Sequence, residues 1–267
     1  MIKKILRSSW LGLVLLFMYL PVLMLMVYSF TDTATIGTRG GFSVQNYVTL
    51  FTTDELLEMI GSTFALAFGS ALLGTILGTI GAIGAFYCRK GPKHAINLVN
   101  QIPVVNAEVV TGFSLCVLLI VVFGVSKESF VPLVAGHVVL EAPFVYLSVL
   151  PKLKQMDNSI YEAARDLGAN AGVALFKVVI PQLIPGIISG FMLAVTLSLD
   201  DYFITTYTKP ATFDTISTYV VNATKGSHTE IKTALWALST VIFVVILTAA
   251  LLGNAFSGRK RGAEYER

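Results

Sequence analysis

Six long runs of apolar residues alternate with shorter polar segments along the chain. They cover approximately residues 10–30, 60–87, 103–123, 130–150, 183–207 and 234–256. A helix rises about 1.5 Å per residue, so about 20 apolar residues are needed to cross a hydrocarbon core roughly 30 Å thick. Because each run reaches that length, the pattern predicts an all-α polytopic membrane protein with six transmembrane helices, in a single domain over residues 1–267.

The composition supports a membrane location for this apolar material. Hydrophobic residues make up 55% of the chain and charged residues 13%, whereas soluble domains carry about 25% charged residues. The net charge of +3 is too small to indicate a nucleic-acid partner. Cys88 and Cys116 have no C-x-x-C spacing, which argues against a disulfide scaffold and a thiolate metal site.

The first apolar run could also be interpreted as a signal peptide, because Lys3, Lys4 and Arg7 precede it. Its length exceeds the 7 to 15 residues of a signal-peptide core, and no clear small-x-small cleavage site follows it. We therefore expect an uncleaved transmembrane helix.

Basic residues are unevenly divided between the two sides of the predicted membrane. Six crossings place both termini on one side, whose segments hold 14 of the 19 Lys and Arg residues, and the opposite loops hold 5. Basic residues near helix ends stay in the cytoplasm. The sequence therefore predicts that both termini are cytoplasmic.

Small residues line one face of the second predicted span. Gly74, Gly78, Gly81 and Ala85 are separated by four, three and four positions, so they share a helix face and permit close packing of another helix. This stripe predicts a helix bundle and carries no functional information.

The segment at about 151–181 is too polar to cross the membrane and lies on the predicted cytoplasmic side. It predicts a short amphipathic helix over 160–167, with Asn158 or Ser159 as its N-cap and Gly168 as its stop. Its apolar face holds Ile160, Ala163, Ala164 and Leu167, and its polar face holds Glu162, Arg165 and Asp166.

Seven residues in and after this helix follow a defined spacing, namely Glu162, Ala163, Ala164, Gly168, Val178, Ile180 and Pro181. The spacing resembles the EAA loop, E-A-A-x3-G-x9-I-x-L-P, of the permease subunits of ATP-binding-cassette importers. Val178 and Ile180 replace Ile and Leu in that pattern. An ordinary surface helix with a chance Glu-Ala-Ala is the alternative.

This resemblance implies a type I importer permease fold in which the EAA helix docks into a groove on an ATPase subunit. The residues implied in this ATPase coupling are Glu162, Ala163, Ala164, Asp166 and Gly168. ATP-driven closure of the ATPase would then move the membrane helices.

Two adjacent carboxylates, Asp200 and Asp201, lie in the fifth predicted span. Asp200 lies 17 residues after Leu183, about 26 Å along a helix, which places Asp200 and Asp201 near the outer end of the membrane. With Tyr202 beside them, they suit a cationic or polyamine cargo through charge pairing and cation–π contact. The alternative is a pair that only marks the helix end at the interface.

Two further carboxylates occur within predicted spans. Glu108 lies about five residues inside the third span, on its cytoplasmic half, and is either a second station for a cation or a carboxylate that reaches the surface. Glu141 lies near the middle of the fourth span, where it needs a partner. It is either part of the pathway or hydrogen-bonded to His137, four residues earlier.

Three short segments, 19–21, 29–30 and 198–201, add a narrower resemblance over nearly the whole chain. Tyr-Leu-Pro, Ser-Phe and Ser-Leu-Asp-Asp at these positions are similar to the spermidine/putrescine importer permeases, specifically the second membrane subunit. This resemblance implies a multi-pass protein of the bacterial cytoplasmic (inner) membrane, surrounded by lipid, with polyamine as its substrate.

The same resemblance implies the partners of the chain. They are a second homologous permease subunit, an ATPase subunit dimer and an extracytoplasmic solute-binding protein. The outer loops at 31–59 and 208–233 are either the surface that receives the binding protein or plain solvated loops.

The chain itself carries no pattern of an enzyme. It has no G-x-x-x-x-G-K-[ST] phosphate loop and no nucleophile or metal-ligand constellation, so we expect no catalytic residue, no metal and no cofactor. Other interpretations are a permease for another small solute, such as a metal ion, thiamine or an anion, an ion-coupled secondary transporter, and a membrane scaffold.

Overall fold

Long apolar segments with internal hydrogen bonding form most of the structure, because backbone groups in lipid must be satisfied within their own helix. The computed structural model describes residues 2–32, 40–225, 234–244 and 248. Its helices are α1 Ile2–Ser29, α2 Gln45–Thr52, α3 Asp54–Tyr87, α4 Lys90–Val105, α5 Glu108–Cys116, α6 Val131–Gln155, α7 Asn158–Asp166, α8 Ala171–Ala174, α9 Ile180–Asp200, α10 Phe203–Thr208, α11 Ile216–Lys225 and α12 Ala234–Val244. Wider π-helical turns extend α5 over Val117–Val122 and join α8 to α9 over Leu175–Val179.

The predicted all-α class is confirmed, since the described residues contain only an isolated β-bridge between Thr31 and Phe42 besides helices. Among the described residues, four helices are long and apolar enough to cross a membrane, and a bent pair can supply a fifth span. The four are Ser9–Ser29, Asp54–Tyr87, Val131–Gln155 and Ala171–Asp200. The predicted sixth span begins with α12, and the rest of it, apart from residue 248, lies outside the described residues.

The third span differs from the prediction of one straight helix over 103–123. The chain bends by 106° between Gly91–Val105 and Glu108–Val122. Asn106 and Ala107 have extended backbone conformations at this point, and the Asn106 side chain donates to Thr111 Oγ1 at 3.0 Å. A side-chain amide that bonds locally favours a helix end over continuation, so α5 starts at Glu108.

The fifth span was also predicted with the wrong ends, at 183 and 207. The long helix runs from Ala171 to Asp200, and Asp201 is extended, with φ −67° and ψ 124°. Its carboxylate then accepts hydrogen bonds from the backbone of the next helix, α10. This local acceptor makes a new helix start more favourable than continuation of α9.

The chain divides into two compact units, one made of Met1–Glu58 with Val220–Arg267 and the other of Met59–Tyr219. In the first unit, α1 and α12 pack through aromatic rings, with Tyr28 and Trp236 centroids 5.6 Å apart. The Asn46 side chain donates to the carbonyls of Ser29 and Thr31, both at 2.9 Å, which ties α2 to the end of α1.

In the second unit α6 packs against both α3 and α9, and glycines permit the close approach. A Cβ on Gly78 would lie 2.5 Å from the Ala142 carbonyl oxygen, and one on Gly190 would lie 3.1 Å from Val145 Cα. Such contacts increase dispersion attraction between helices in lipid. They confirm that the predicted small-residue stripe is a helix-packing surface.

A methyl group at Gly78 should therefore destabilise the bundle. We expect Gly78→Ala to cost about 1–3 kcal/mol through overpacking against α6, seen as a lower thermal unfolding temperature of the protein in detergent. Gly84→Ala in the same helix is the matched control, because a Cβ there meets nothing within 4 Å. Equal unfolding temperatures for the two variants would contradict this packing.

Candidate translocation site and coupling helix

Three carboxylates come together where α9 ends and α5 begins. Asp200 is the last residue of α9 and Glu108 is the first residue of α5, and both side chains are exposed. The Glu108 carboxyl interacts electrostatically with Asp201 and with Asp200. We call Glu108, Asp200 and Asp201 the acidic cluster.

The structure brings Glu108 close to the two aspartates, which its predicted place in the cytoplasmic half of a straight third span did not indicate. The chain bends just before Glu108, and α10 packs on α5. A Cβ on Gly112 of α5 would lie only 3.0 Å from Ile204 Cα of α10.

The two aspartates of the cluster have different surroundings. Asp201 is 4% exposed, and its carboxylate accepts from Ile204 N at 3.2 Å, Thr205 N at 2.7 Å and Thr205 Oγ1 at 2.7 Å. Tyr202 is half-buried, with its ring edge-on to Phe203 at 5.2 Å. Asp201 thus holds the helix break, while Asp200 faces outward.

Glu141 and His137 are both fully buried in the second unit, but the predicted hydrogen bond between them is wrong. His137 Nδ1 and Glu141 Oε1 are 3.8 Å apart, which is too long. Instead, Ser70 Oγ donates to Glu141 Oε1 at 2.7 Å. The imidazole contacts Ser198 Oγ at 2.7 Å and Thr205 Oγ1 at 3.1 Å.

Sequence reasoning missed these hydroxyl partners, Ser70, Ser198 and Thr205. Hydroxyl residues are frequent in transmembrane helices and usually bond to the carbonyl four residues earlier, as Ser189 and Thr196 do here. No sequence signal separates the three that bridge helices from those that bond locally.

The predicted amphipathic helix is present as α7, and its cap differs from the prediction. Asp157, rather than Asn158 or Ser159, is the N-cap, and its carboxylate accepts from Ser159 N at 2.9 Å. This hydrogen bond lowers the pKa of Asp157 below its ordinary value of 3.8. The loop around α7 is shorter than 151–181, because α6 continues to Gln155 and helix resumes at Ala171.

Gly168 ends α7 as predicted, in the left-handed conformation with φ +88°. Gly168 N donates to Arg165 O at 3.0 Å and Ala169 N donates to Ala164 O at 3.1 Å. These are the two hydrogen bonds of a Schellman motif, which only a residue tolerant of positive φ closes without strain.

Most of α7 remains available to a partner. Glu162, Ala163, Asp166 and Gly168 are exposed, Ala164 is half-buried, and Leu167 is 90% exposed. The helix is anchored from its other side by Tyr161, whose ring lies 5.7 Å from that of Tyr87. The predicted apolar face is therefore an outward surface and not the anchoring one.

A bundle of long apolar helices with a short exposed helix between two of them is the architecture of an importer permease. The structure has a TM-score of 0.72 to a chain of a bacterial ABC transporter involved in the import of the acidic polysaccharide alginate, at 22% identity, covering 97% of this chain and 98% of that one. At this identity the similarity shows the fold.

A family model for the binding-protein-dependent transport system inner membrane component matches residues 97–262, and the chain belongs to this family. It is 29% identical to the spermidine/putrescine transport system permease protein PotC of Haemophilus influenzae, over 95% of this chain and 97% of that protein. It is 31% identical to the putrescine transport system permease protein PotI of Escherichia coli, over 89% of this chain and 87% of that protein.

These findings confirm the resemblance to polyamine importer permeases and the type I permease fold. The chain is a non-enzymatic, multi-pass permease of an inner-membrane ABC importer family.

The Asp157 cap yields a prediction for α7. Loss of the side-chain acceptor in Asp157→Ala should raise hydrogen exchange of the α7 amides by about fivefold, measured by mass spectrometry, whereas Asp157→Asn keeps an oxygen acceptor and should exchange like the native chain. Because the pKa is lowered, the cap contribution is complete at neutral pH and is lost only as the pH falls through the lowered pKa. Equal exchange in both variants would rule out the cap.

Proposed function

We propose that the chain is a permease subunit of an ATP-driven importer for polyamines such as spermidine and putrescine, and that it forms half of the translocation pathway. The observation that carries this proposal is the acidic cluster at the junction of α5, α9 and α10. The names of the relatives, which are spermidine/putrescine and putrescine permeases, support the same cargo.

The chemistry of the cluster suits a polyamine. Alkylamines have pKa values near that of Lys, about 10.4, so polyamines carry several positive charges at neutral pH. Asp200 and Glu108 offer two exposed carboxylates for separate ammonium groups, and Asp201 adds a third negative charge behind them. Like charges in one site repel, and a passing polycation relieves that repulsion.

The aromatic side chains beside the cluster add a second type of contact. Tyr202 directly follows the two aspartates, and its neighbour Phe203 is 42% exposed. Ammonium groups are attracted to ring faces by about 0.5–2 kcal/mol. We assign Tyr202 to the pathway on this basis, and Glu141, which has no exposed surface, to the packed interior beside it.

The fold alone does not choose the cargo, since the structurally similar alginate transporter imports an acidic polysaccharide. Other small solutes, namely a metal ion, thiamine or an anion, are the alternative cargoes. The acidic cluster would repel an anion and attract a cation, so the exposed carboxylates favour a cationic cargo. Among the cations, the names of the relatives favour a polyamine.

The working assembly requires further subunits. We propose a second homologous permease subunit, an ATPase dimer and an extracytoplasmic solute-binding protein, with both termini of this chain in the cytoplasm. The family description, a binding-protein-dependent inner membrane component, supports the binding protein and the membrane location. Parts of the two loops proposed to receive the binding protein, 33–39 and 226–233, lie outside the described residues.

Coupling to the ATPase is assigned to α7 through Glu162, Ala163, Ala164, Asp166 and Gly168. α7 connects α6 directly to the segment that leads into α9. A push on α7 is therefore transmitted to α6 and to α9, and α9 ends at the acidic cluster. The exposed side chains on α7 supply the contact surface that such a push requires.

Neutralising the exposed carboxylates should reduce polyamine uptake. We expect Asp200→Asn and Glu108→Gln each to lower spermidine uptake into proteoliposomes containing the full importer by about tenfold, because each removes one ion pair from the path. Glu128→Gln is the matched control, since Glu128 is an exposed carboxylate outside the cluster. Unchanged uptake in Asp200→Asn, Asp201→Asn and their double variant would remove the aspartates from the pathway.

A bulky charged side chain on the outward surface of α7 should uncouple the permease from the ATPase. We expect Ala163→Arg to lower both binding-protein-stimulated ATP hydrolysis and uptake by about tenfold or more. An interface side chain that cannot be accommodated blocks docking. Lys177→Ala, an exposed change beyond α7, should leave both rates unchanged. Native rates in the Ala163→Arg importer would refute docking at this helix.

A further inference from the structure

A continuous chain of buried polar side chains joins α3, α6, α9 and α10 inside the second unit. It runs through Ser70, Glu141, Ser198, His137, Thr205 and Asp201, with each of these side chains at most 5% exposed. Ser70 and Ser198 hydroxyl oxygens are 3.3 Å apart, and Thr205 Oγ1 donates to Asp201 Oδ2 at 2.7 Å. We call these six residues the buried relay.

The direction of the hydrogen bonds in the relay follows from counting protons. The Thr205 hydroxyl has one proton and donates it to the Asp201 carboxylate, so its contact with His137 Nε2 at 3.1 Å requires the imidazole N–H to donate. His137 therefore carries a proton on Nε2, and it donates to Thr205, whose hydroxyl in turn donates to the Asp201 carboxylate.

The relay connects the acidic cluster to the helices that flank α7. Asp201 is its last member, and its carboxylate also holds the break between α9 and α10 that leaves Asp200 exposed. His137 lies on α6, the helix that leads into α7. In a low-dielectric interior, removal of one hydrogen-bond partner leaves the other polar group buried and unsatisfied. This costs free energy that the loss of an apolar contact of the same size does not.

We infer that His137 is a positioning residue for the pathway: it holds Asp201, through Thr205, in the orientation that forms the acidic cluster. This inference rests on the proposed function, because it gives the cluster a role in cargo movement. His137 does not contact the cargo, and it is fully buried. If His137 moved with α6, the movement would be transmitted to Asp201 through the Thr205 hydroxyl.

The test compares three replacements of His137 in the complete importer. Gln places an amide N–H near the position of Nε2 and restores the donor to Thr205, Asn reaches only the Nδ1 side, and Leu fills the volume without any donor. We expect uptake of spermidine within about twofold of native for His137→Gln, and about a tenfold loss for His137→Asn and His137→Leu. Assembly with the second permease subunit is measured in parallel.

A purely packing role gives a different order. It predicts that the volume-filling His137→Leu equals His137→Gln and that the smaller His137→Asn is worst, and this order would overturn the inference. Thr205→Val and Thr205→Ser form a second pair for the case that His137→Leu fails to assemble. Ser keeps the bridging hydroxyl and should retain uptake, whereas Val should lose about tenfold; equal uptake in this pair would also overturn it.

A double variant separates this inference from the proposed function. If His137 acts through Asp201, His137→Leu combined with Asp201→Asn should be no worse than Asp201→Asn alone, and an additional tenfold loss would overturn the inference. If Asp200→Asn, Asp201→Asn and their double variant all leave uptake unchanged, then the acidic pathway fails, whatever the His137 variants show.

Discussion

A helix that ends inside a membrane bundle needs acceptors for the first N–H groups of the helix that follows, and the Asp201 carboxylate supplies them here. Hydrocarbon offers no water for these groups, so such a break is tolerated only where protein satisfies it. The Asp201 carboxylate thereby joins the end of α9 to the start of α10, and it also accepts from the Thr205 hydroxyl. The Asp201 carboxylate, whose charge suggests a role in transport, therefore also stabilises the local backbone.

Close packing of the central helices explains how a buried polar chain can exist in this protein. Glycines on α3 and α9 bring both helices against α6; a Cβ on Gly74 would lie 3.0 Å from Glu141 Oε2. At these distances short hydroxyl side chains span the gap between helices, as Ser70 does to Glu141. Larger residues at the glycine positions would push the helices apart and leave Glu141 without its donor.

The exposed helix α7 shows how a connection can be rigid and still open to a partner. Asp157 starts it, Gly168 ends it, and Tyr161 fixes it against Tyr87, so its orientation is set by its own chain. The remaining surface carries the Glu-Ala-Ala positions. A pre-ordered surface of this kind avoids the entropic cost of ordering a loop when a partner docks.

The sequence by itself determined the features that depend on residue type and local spacing. Apolar runs of sufficient length predicted the membrane helices, Glu162 and Gly168 located the exposed helix α7 and its end, and the motif identified the importer class. These features follow from interactions between residues close in the chain, or between side chains and lipid, and a pattern can therefore reveal them.

Only the tertiary structure decided which polar groups meet. The meeting of Glu108 with Asp200 depends on a 106° bend that no apolar count reveals. The partner of His137 proved to be hydroxyls 61 and 68 positions away, rather than the carboxylate one turn later. Such pairs are selected by the approach of helices distant in sequence, and that approach is the sum of many small packing contacts, none of which is visible in the spacing of residues along the chain.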